Sequence, residues 1–403
     1  MLSSNVLILT SWSIDDPLVE AYVLPYIKII RRYLSSDYRI IIQTLERSDK
    51  KSAKSESLKS ILLASGVEWI PEQYVKFGVI ALIKSVFNLI KLLLYCRLNF
   101  VGVIHVWCTP AGVLGYILSI LTGAKLVIDS YEPHAESMVE NGTWKKFSIK
   151  FGILFYFEKL MSQRACVLIG LTEKMKDYAR LKYGICNGKF YLKPACVNME
   201  KFNVSKIKNL ELLSRYDLVG KIVMVYAGKL GGIYLDKEIF DFTSHAHRKF
   251  GETFRFLLLA SNNRNEIDEY CRQSGVPTKI IILENINHQD IPLFIGMADF
   301  AITPVKPVPS KRYCSPLKNG EYWALGLPVI ISKDISDDSL IIENENIGAV
   351  IDSWDPEGYN LALNKLNKIL DLDKELYREK IINVANRYRN FNLADGVYSE
   401  IYH

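Results

Sequence analysis

The stretch SPLKNGEYWALGLPVI, Ser315 to Ile330, contains a helix start, a helix stop and a strand within sixteen residues. Ser315 is a good N-cap, and Pro316 fits the first helical position, where a missing N–H costs nothing, so a helix is expected to begin at Pro316. Gly326, with Pro328 two residues on, reads as its end, and Val329 to Ile331 as a buried strand. Lys318 and Glu321 then lie three apart on one face, beside a helix N-terminus whose free N–H groups and dipole favour an anion. A phosphate ester fits there. The alternative is an exposed ion pair worth a few tenths of a kcal/mol.

Outward from this helix and strand, the same alternation fills the chain. Short apolar runs stand at Val6 to Leu9, Arg39 to Thr44, Val67 to Ile70, Val103 to Trp107, Lys125 to Asp129 and Cys166 to Leu171. Helical stretches such as Pro17 to Leu34 and Phe147 to Arg164 lie between them. The rhythm restarts after YLKPACVNMEKFN with Lys221 to Tyr226, Phe254 to Ala260, Lys279 to Leu283, Phe300 to Thr303, Val329 to Ile331 and Ala349 to Ile351. Such alternation predicts parallel sheets wrapped by helices, and its restart predicts two doubly wound α/β domains. A length of 403 residues also exceeds one ordinary core. Neither half has G-x-G-x-x-G after its first strand or a Walker A loop, which removes the main support for dinucleotide or ATP binding.

A content of 49% hydrophobic and 23% charged residues is that of a folded globular protein. The seven cysteines are odd in number and scattered, without a C-x-x-C pair, which argues against a disulfide framework and a zinc site and for a reducing, cytoplasmic setting. The start, MLSSNVLILTSW, reads as a first strand rather than a signal peptide. The Asn141 and Asn203 sequons are then chance matches. Residues 1–200 hold 25 Lys and Arg against 17 Asp and Glu, so the basic surplus sits in the first half. A solvated basic surface and a surface facing anionic lipid or a phosphate-bearing substrate both fit this bias. Nucleic acid is disfavoured, since no helix-turn-helix, RNA-binding aromatic motif or long basic run is present.

With these residues in view, SPLKNGEYWALGLPVI resembles the donor-site signature of retaining glycosyltransferases of family 4 in the carbohydrate-active enzyme classification, in an S-P-x-K-x-x-E variant. VMVYAGKLGG resembles the strand and glycine loop opening that family's donor domain. YLKPACVNMEKF resembles its interdomain segment, INHQDIPLFIGMADFAITP the stretch before the signature, and LIGLTEKMKDYARLKYG the end of the acceptor domain. The resemblance implies a GT-B fold, two Rossmann-like domains facing a cleft. Residues 1–195 would bind the acceptor and 196–374 the nucleotide-sugar donor, with helices from about 375 to 403 packing back on the first domain. Tyr313 stands where the family often has a first glutamate, Tyr234 where its donor loop has a lysine, and SWSIDDPL where its first loop is often glycine-rich.

The resemblance assigns donor binding to Gly228, Lys229, Ser315, Pro316, Leu317, Lys318 and Glu321. A sugar nucleotide leaves as a diphosphate, so charge growing on the leaving oxygen must meet fixed cations and N–H donors. Lys229, Lys318 and the amides near Leu317 suit that task, and Glu321 can accept both ribose hydroxyls. His134, in DSYEPHAESM, would contact the donor sugar or reacting centre; the alternative is a satisfied surface or cap histidine. Ser13, Asp15, Tyr131 and Glu132 are acceptor-side candidates. His105, on the apolar strand VGVIHVW, reads as packed, and the pairs Asp15-Asp16 and Asp337-Asp338 as solvated turn carboxylates rather than metal ligands. No cofactor and no metal is expected beyond the nucleotide-sugar co-substrate. The implied activity is sugar transfer to a glycan acceptor in bacterial surface polysaccharide synthesis. A nucleotide-sugar epimerase of the same fold and a non-catalytic nucleotide-sugar-binding module remain open.

KFGVIALIKSVFNLIKLLLYCRLNF, residues 76–100, is dense enough in apolar residues to suggest a membrane span. Lys84 and Lys91 argue against one, at about 2.5–3.5 kcal/mol for each lysine near a bilayer centre. With Asn88 they form one polar stripe at i, i+4, i+7. Two settings suit such a helix: burial against the sheet with only the stripe in water, or the interface of an anionic inner membrane carrying a polyprenyl-phosphate-linked acceptor.

Overall fold

The computed structural model describes residues 2–47, 53–76, 78–185, 189–287 and 289–402; Phe77 and His288, which fall within stretches read above, and Cys186, one of the seven cysteines, lie outside them. The chain forms two compact units, residues 1–194 with 392–403, and residues 195–391. The helix Lys374–Arg389 therefore counts with the second unit, and the chain rejoins the first at residue 392 rather than about 375.

Among the described residues the first unit has seven strands, β1 (Asn5–Thr10), β2 (Ile40–Glu46), β3 (Val67–Gln73), β4 (Val101–Trp107), β5 (Lys125–Tyr131), β6 (Val167–Gly170) and β7 (Lys189–Leu192). They lie in the order β3-β2-β1-β4-β5-β6-β7, all parallel. The second has β8 (Ile222–Ala227), β9 (Phe254–Leu259), β10 (Ile281–Glu284), β11 (Phe300–Thr303), β12 (Val329–Ser332) and β13 (Gly348–Ile351), in the parallel order β10-β9-β8-β11-β12-β13. Helices cover both faces of each sheet, so the central strands read as unbroken apolar runs: Val6 to Leu9 and Val223 to Tyr226 are all buried. β7 was not foreseen. As a short edge strand it pairs only with β6 and is half exposed, so it lacks the apolar run that marks the others.

In both sheets the direction of winding reverses beside the first strand, between β1 and β4 and between β8 and β11. At such a switch point the loops leaving the carboxyl ends of neighbouring strands part and open a crevice. The loops holding Ser13 and Gly228 follow β1 and β8, the strands at those points.

The helix Val79–Leu98 sits the other way round from the burial expected for it. Its buried residues are Asn88, Leu92 and Cys96. Asn88 exchanges hydrogen bonds with Gln43 of β2, at 2.9 Å from the Gln43 amide nitrogen, and Lys91 Nζ lies 3.0 Å from Glu72 Oε2 on β3. Two members of the polar stripe thus bond to the sheet, while Val79, Leu82, Ile83, Phe87 and Leu94 face outward.

Candidate functional site

In the second unit the signature segment forms the helix Leu317–Ala324, with Pro316 in the N-cap position and no side chain capping it. Ser315 is not the cap expected of it. Its hydroxyl accepts from the Ala195 amide at 3.0 Å and from Arg389 Nη1. Arg389 also reaches the carbonyl of Ala195 at 3.1 Å and pairs with Asp338. Asp338 is fully buried, which corrects its reading as a solvated turn carboxylate. It accepts from Asn319 Nδ2 at 2.6 Å, and Asn319 Oδ1 accepts from Thr303 of β11 at 2.5 Å. A buried polar chain therefore holds this helix from below, and Tyr322 ties it to β8 by accepting the Ala227 amide at 3.0 Å. Gly326 follows at φ +66°, the left-handed stop expected, where a Cβ would lie 2.1 Å from Arg378 Cγ.

Lys318 and Glu321 project from this helix without forming the surface ion pair that was the alternative for them. Glu321 is 9% exposed, and among the described residues its carboxylate receives no hydrogen bond. Burial raises its pKa, while Lys318 and Lys201 pull it back. A buried carboxylate with unspent acceptor atoms is costly unless a ligand's donors meet it. Lys318 Nζ donates to the Tyr234 hydroxyl at 2.9 Å and lies over Gly228. A Cβ on Gly228, at φ +150°, would stand 2.6 Å from Lys318 Cε and push the lysine from its place over that backbone. Tyr234, a departure from the family pattern, is thus the residue that orients Lys318. Lys229 is exposed on the same loop, and its carbonyl accepts from Tyr226 at 2.6 Å. Two lysines, an uncapped helix start and a hydroxyl-accepting carboxylate meet at the β8–β11 switch point, an arrangement able to hold a diphosphate and an adjoining diol.

In the first unit Ser13 is half-buried, and its hydroxyl lies 2.5 Å from Glu46 Oε2. The Ile14 amide donates to Glu46 Oε1 at 3.0 Å. Glu46, at the end of β2, thereby fixes the loop after β1; no local pattern marked it. Asp15 and Glu132 are half-buried, and the Glu132 carbonyl accepts from Thr109 at 2.9 Å. Tyr131 is not an acceptor contact: it is fully buried, its hydroxyl 2.6 Å from Ser162. His105 is packed, stacked on Trp107 at 4.6 Å between centroids. His134 is half-buried and opens the helix His134–Glu140. Glu158, wholly buried on the helix Ile149–Arg164, braces that turn by accepting from the Ala135 amide and the Tyr183 hydroxyl, each at 2.9 Å. Among the described residues no group of three or more His, Cys, Asp or Glu could hold a metal ion.

Burial pushes the Glu158 carboxyl up to about 8, against the pull of its Ala135 and Tyr183 hydrogen bonds. The folded protein therefore keeps this proton after the unfolded chain, at an ordinary 4.5, has lost it. The contribution to stability is whole below pH 4.5 and is lost as pH rises to about 8, with a slope of up to about 1.4 kcal/mol per pH unit. Glu158→Gln is expected to remove that slope. Denaturant melts of both proteins across this range check it, and parallel profiles would contradict it.

Residues 307–398 match the family described as "Glucosyltransferase 3-like, C-terminal domain". No curated protein matches the chain in sequence. Among solved structures, sucrose-phosphate synthase from Thermosynechococcus elongatus is similar with a TM-score of 0.72 at 13% identity, over 99% of this chain and 98% of that one. Anabaena HepE in complex with UDP gives 0.71 at 14%, over 98% and 99%. WaaG, a glycosyltransferase involved in lipopolysaccharide biosynthesis, gives 0.70 at 12%, over 98% and 99%. The fold is that of these GT-B glycosyltransferases, two Rossmann-like parallel-sheet domains.

Proposed function

We propose that the chain is a retaining glycosyltransferase that moves a sugar from a nucleotide-sugar donor to a glycan acceptor in bacterial surface polysaccharide synthesis. The observation that carries the donor assignment is Glu321, buried with unspent acceptor atoms next to Lys318 and an uncapped helix start. Glu321 takes the ribose hydroxyls, while Lys318, Lys229 and the amides of Leu317 and Lys318 receive the diphosphate. As the glycosidic bond to the donor breaks, these groups meet the charge growing on the leaving oxygen. Tyr234 holds Lys318 in advance, which lowers the cost of ordering it when the donor arrives.

The matching of HepE in complexes with UDP and with UDP-glucose supports a nucleotide-sugar donor and makes uridine diphosphate the first to try. WaaG's part in lipopolysaccharide biosynthesis supports a surface glycan. Retention, a lipid-linked acceptor at the cytoplasmic face of a membrane, chemistry without a metal or further cofactor, and the role of His134 at the donor sugar rest on the sequence resemblance.

The expected result is release of nucleoside diphosphate only when acceptor is present, with a product whose new bond keeps the donor's anomeric configuration by NMR. Inversion would refute retention. Sugar interconversion without acceptor would indicate an epimerase, and binding without turnover a module.

A further inference from the structure

Three neighbouring helices lie on one side of the first unit's sheet: Val79–Leu98, Cys108–Thr122 and Ile149–Arg164. They join β3 to β4, β4 to β5 and β5 to β6, and because each step moves the same way across the sheet, right-handed crossovers put them on one face. The first packs on the second and the second on the third. The outer surface of this layer is unusually apolar. On the first helix, where 17% of the most apolar window is buried, Val79, Leu82, Ile83, Phe87 and Leu94 are each more than half exposed. Ile120 continues the surface on the second helix. At the start of the third, Phe147 is 93% and Ile149 81% exposed.

Exposed charge on these three helices has one sign, and the acids Glu173 and Asp177 stand on the next helix, Glu173–Tyr183. The three helices carry Lys84, Lys91, Arg97, Lys150, Lys159 and Arg164, and their single acid, Glu158, is buried. Lys145 and Lys146 stand exposed just before the third helix. An apolar face whose three helices expose only cations complements a bilayer whose headgroups are anionic, since acyl chains take the apolar side chains and phosphates meet the lysines. A second copy is a poor fit: a two-fold contact through this face would set these cations against themselves. Spanning is excluded by the attachments of the first helix to the sheet through Asn88 with Gln43 and Lys91 with Glu72.

We propose that this three-helix face lies on an anionic phospholipid surface, with Ile83, Phe87, Phe147 and Ile149 entering the acyl boundary and Lys145, Lys146 and Lys150 at the phosphates. It rests on the proposed function only in taking the membrane as the place of the acceptor, and on none of the donor chemistry.

The test is flotation of the full chain with vesicles of phosphatidylcholine alone or mixed with phosphatidylglycerol, at low and high salt. The parent is expected to float with the anionic vesicles and to lose most of that binding in high salt. Ile83→Ser/Phe87→Ser and Phe147→Ser/Ile149→Ser, all at exposed positions, are each expected to weaken partitioning at least about tenfold while the melt without lipid is unchanged. A parent that stays unbound with anionic vesicles at low salt overturns the inference, even if it transfers sugar to a soluble acceptor. So do variants that float like the parent, or a dimer abolished by the same substitutions in a protein that does not float. Flotation of a protein that binds no nucleoside diphosphate supports this face and counts only against the donor site.

Discussion

A chain ending at Phe391 is expected to show no cooperative unfolding transition for its first unit. The helix Phe391–Tyr402 buries Ala394, Tyr398, Ile401 and Tyr402 in that unit's core. Its two tyrosines complete a buried polar cluster. Tyr398 donates to Asp129 Oδ2 at 2.5 Å, and the Tyr402 hydroxyl lies 2.6 Å from His105 Nδ1. Lys193 Nζ, fully buried, is 3.0 Å from Asp129 Oδ1 and 3.6 Å over the Tyr26 ring. Burial alone would raise the Asp129 carboxyl, but Lys193, His105 and Tyr398 together hold it at about 2, so it stays ionised. Removing a large buried aromatic costs about 3–5 kcal/mol, and the lost hydrogen bond to the buried Asp129 carboxylate adds about 1.5–3 kcal/mol. The sum reaches the 5–15 kcal/mol by which domains are typically stable. Tyr398→Phe, which deletes only a hydrogen bond to a charged acceptor, is expected to cost about 1.5–3 kcal/mol. Thermal and denaturant melts of the parent, the point variant and the truncated chain measure both. A truncated chain whose first unit melts like the parent's would contradict the account.

The parallel sheets were legible because strands buried on both faces leave apolar runs such as Val103 to Trp107 that alternation of helix and strand then orders. The donor helix was legible for a related reason: the spacing of Lys318 and Glu321, and the Gly326-Pro328 stop, are local. What was not legible is what depends on distant partners. Ser315 satisfies every local rule for an N-cap, yet Arg389, 74 residues away, takes its hydroxyl. Asp338 reads as a turn carboxylate until Arg389 folds over it, and nothing in YREKIINVANRYRN distinguishes that arginine from its solvated neighbours. Glu158 is the single acid in an apolar helix, and its role appears only where the turn at Ala135 meets it. The stripe of Lys84, Asn88 and Lys91 was visible as a period. Which side of the helix faced the protein was decided by Gln43 and Glu72, on strands that periodicity cannot align with it.

Lys318→Ala and Glu321→Ala are expected to separate binding from folding. Lys318 Nζ has Tyr234 as its hydrogen-bond partner, and the Glu321 carboxylate has none among the described residues. Removing either therefore leaves the core in place, and losing a buried, unsatisfied carboxylate does not lower the stability of the unliganded protein. The ligand loses a charge-assisted hydrogen bond worth about 1.5–3 kcal/mol in each case, one to two decades in affinity. Turnover falls at least about tenfold wherever the same contact is made in the transition state. The direct measurement is a thermal-shift titration of the parent and both variants with a panel of nucleoside diphosphates. The account predicts that at least one of them stabilises the parent, by about 2.7 kcal/mol at 100 times its dissociation constant, and that both variants lose the shift while melting at the parental temperature without ligand. A parent stabilised by none of them, or a shift that survives intact in both variants, would contradict the donor site.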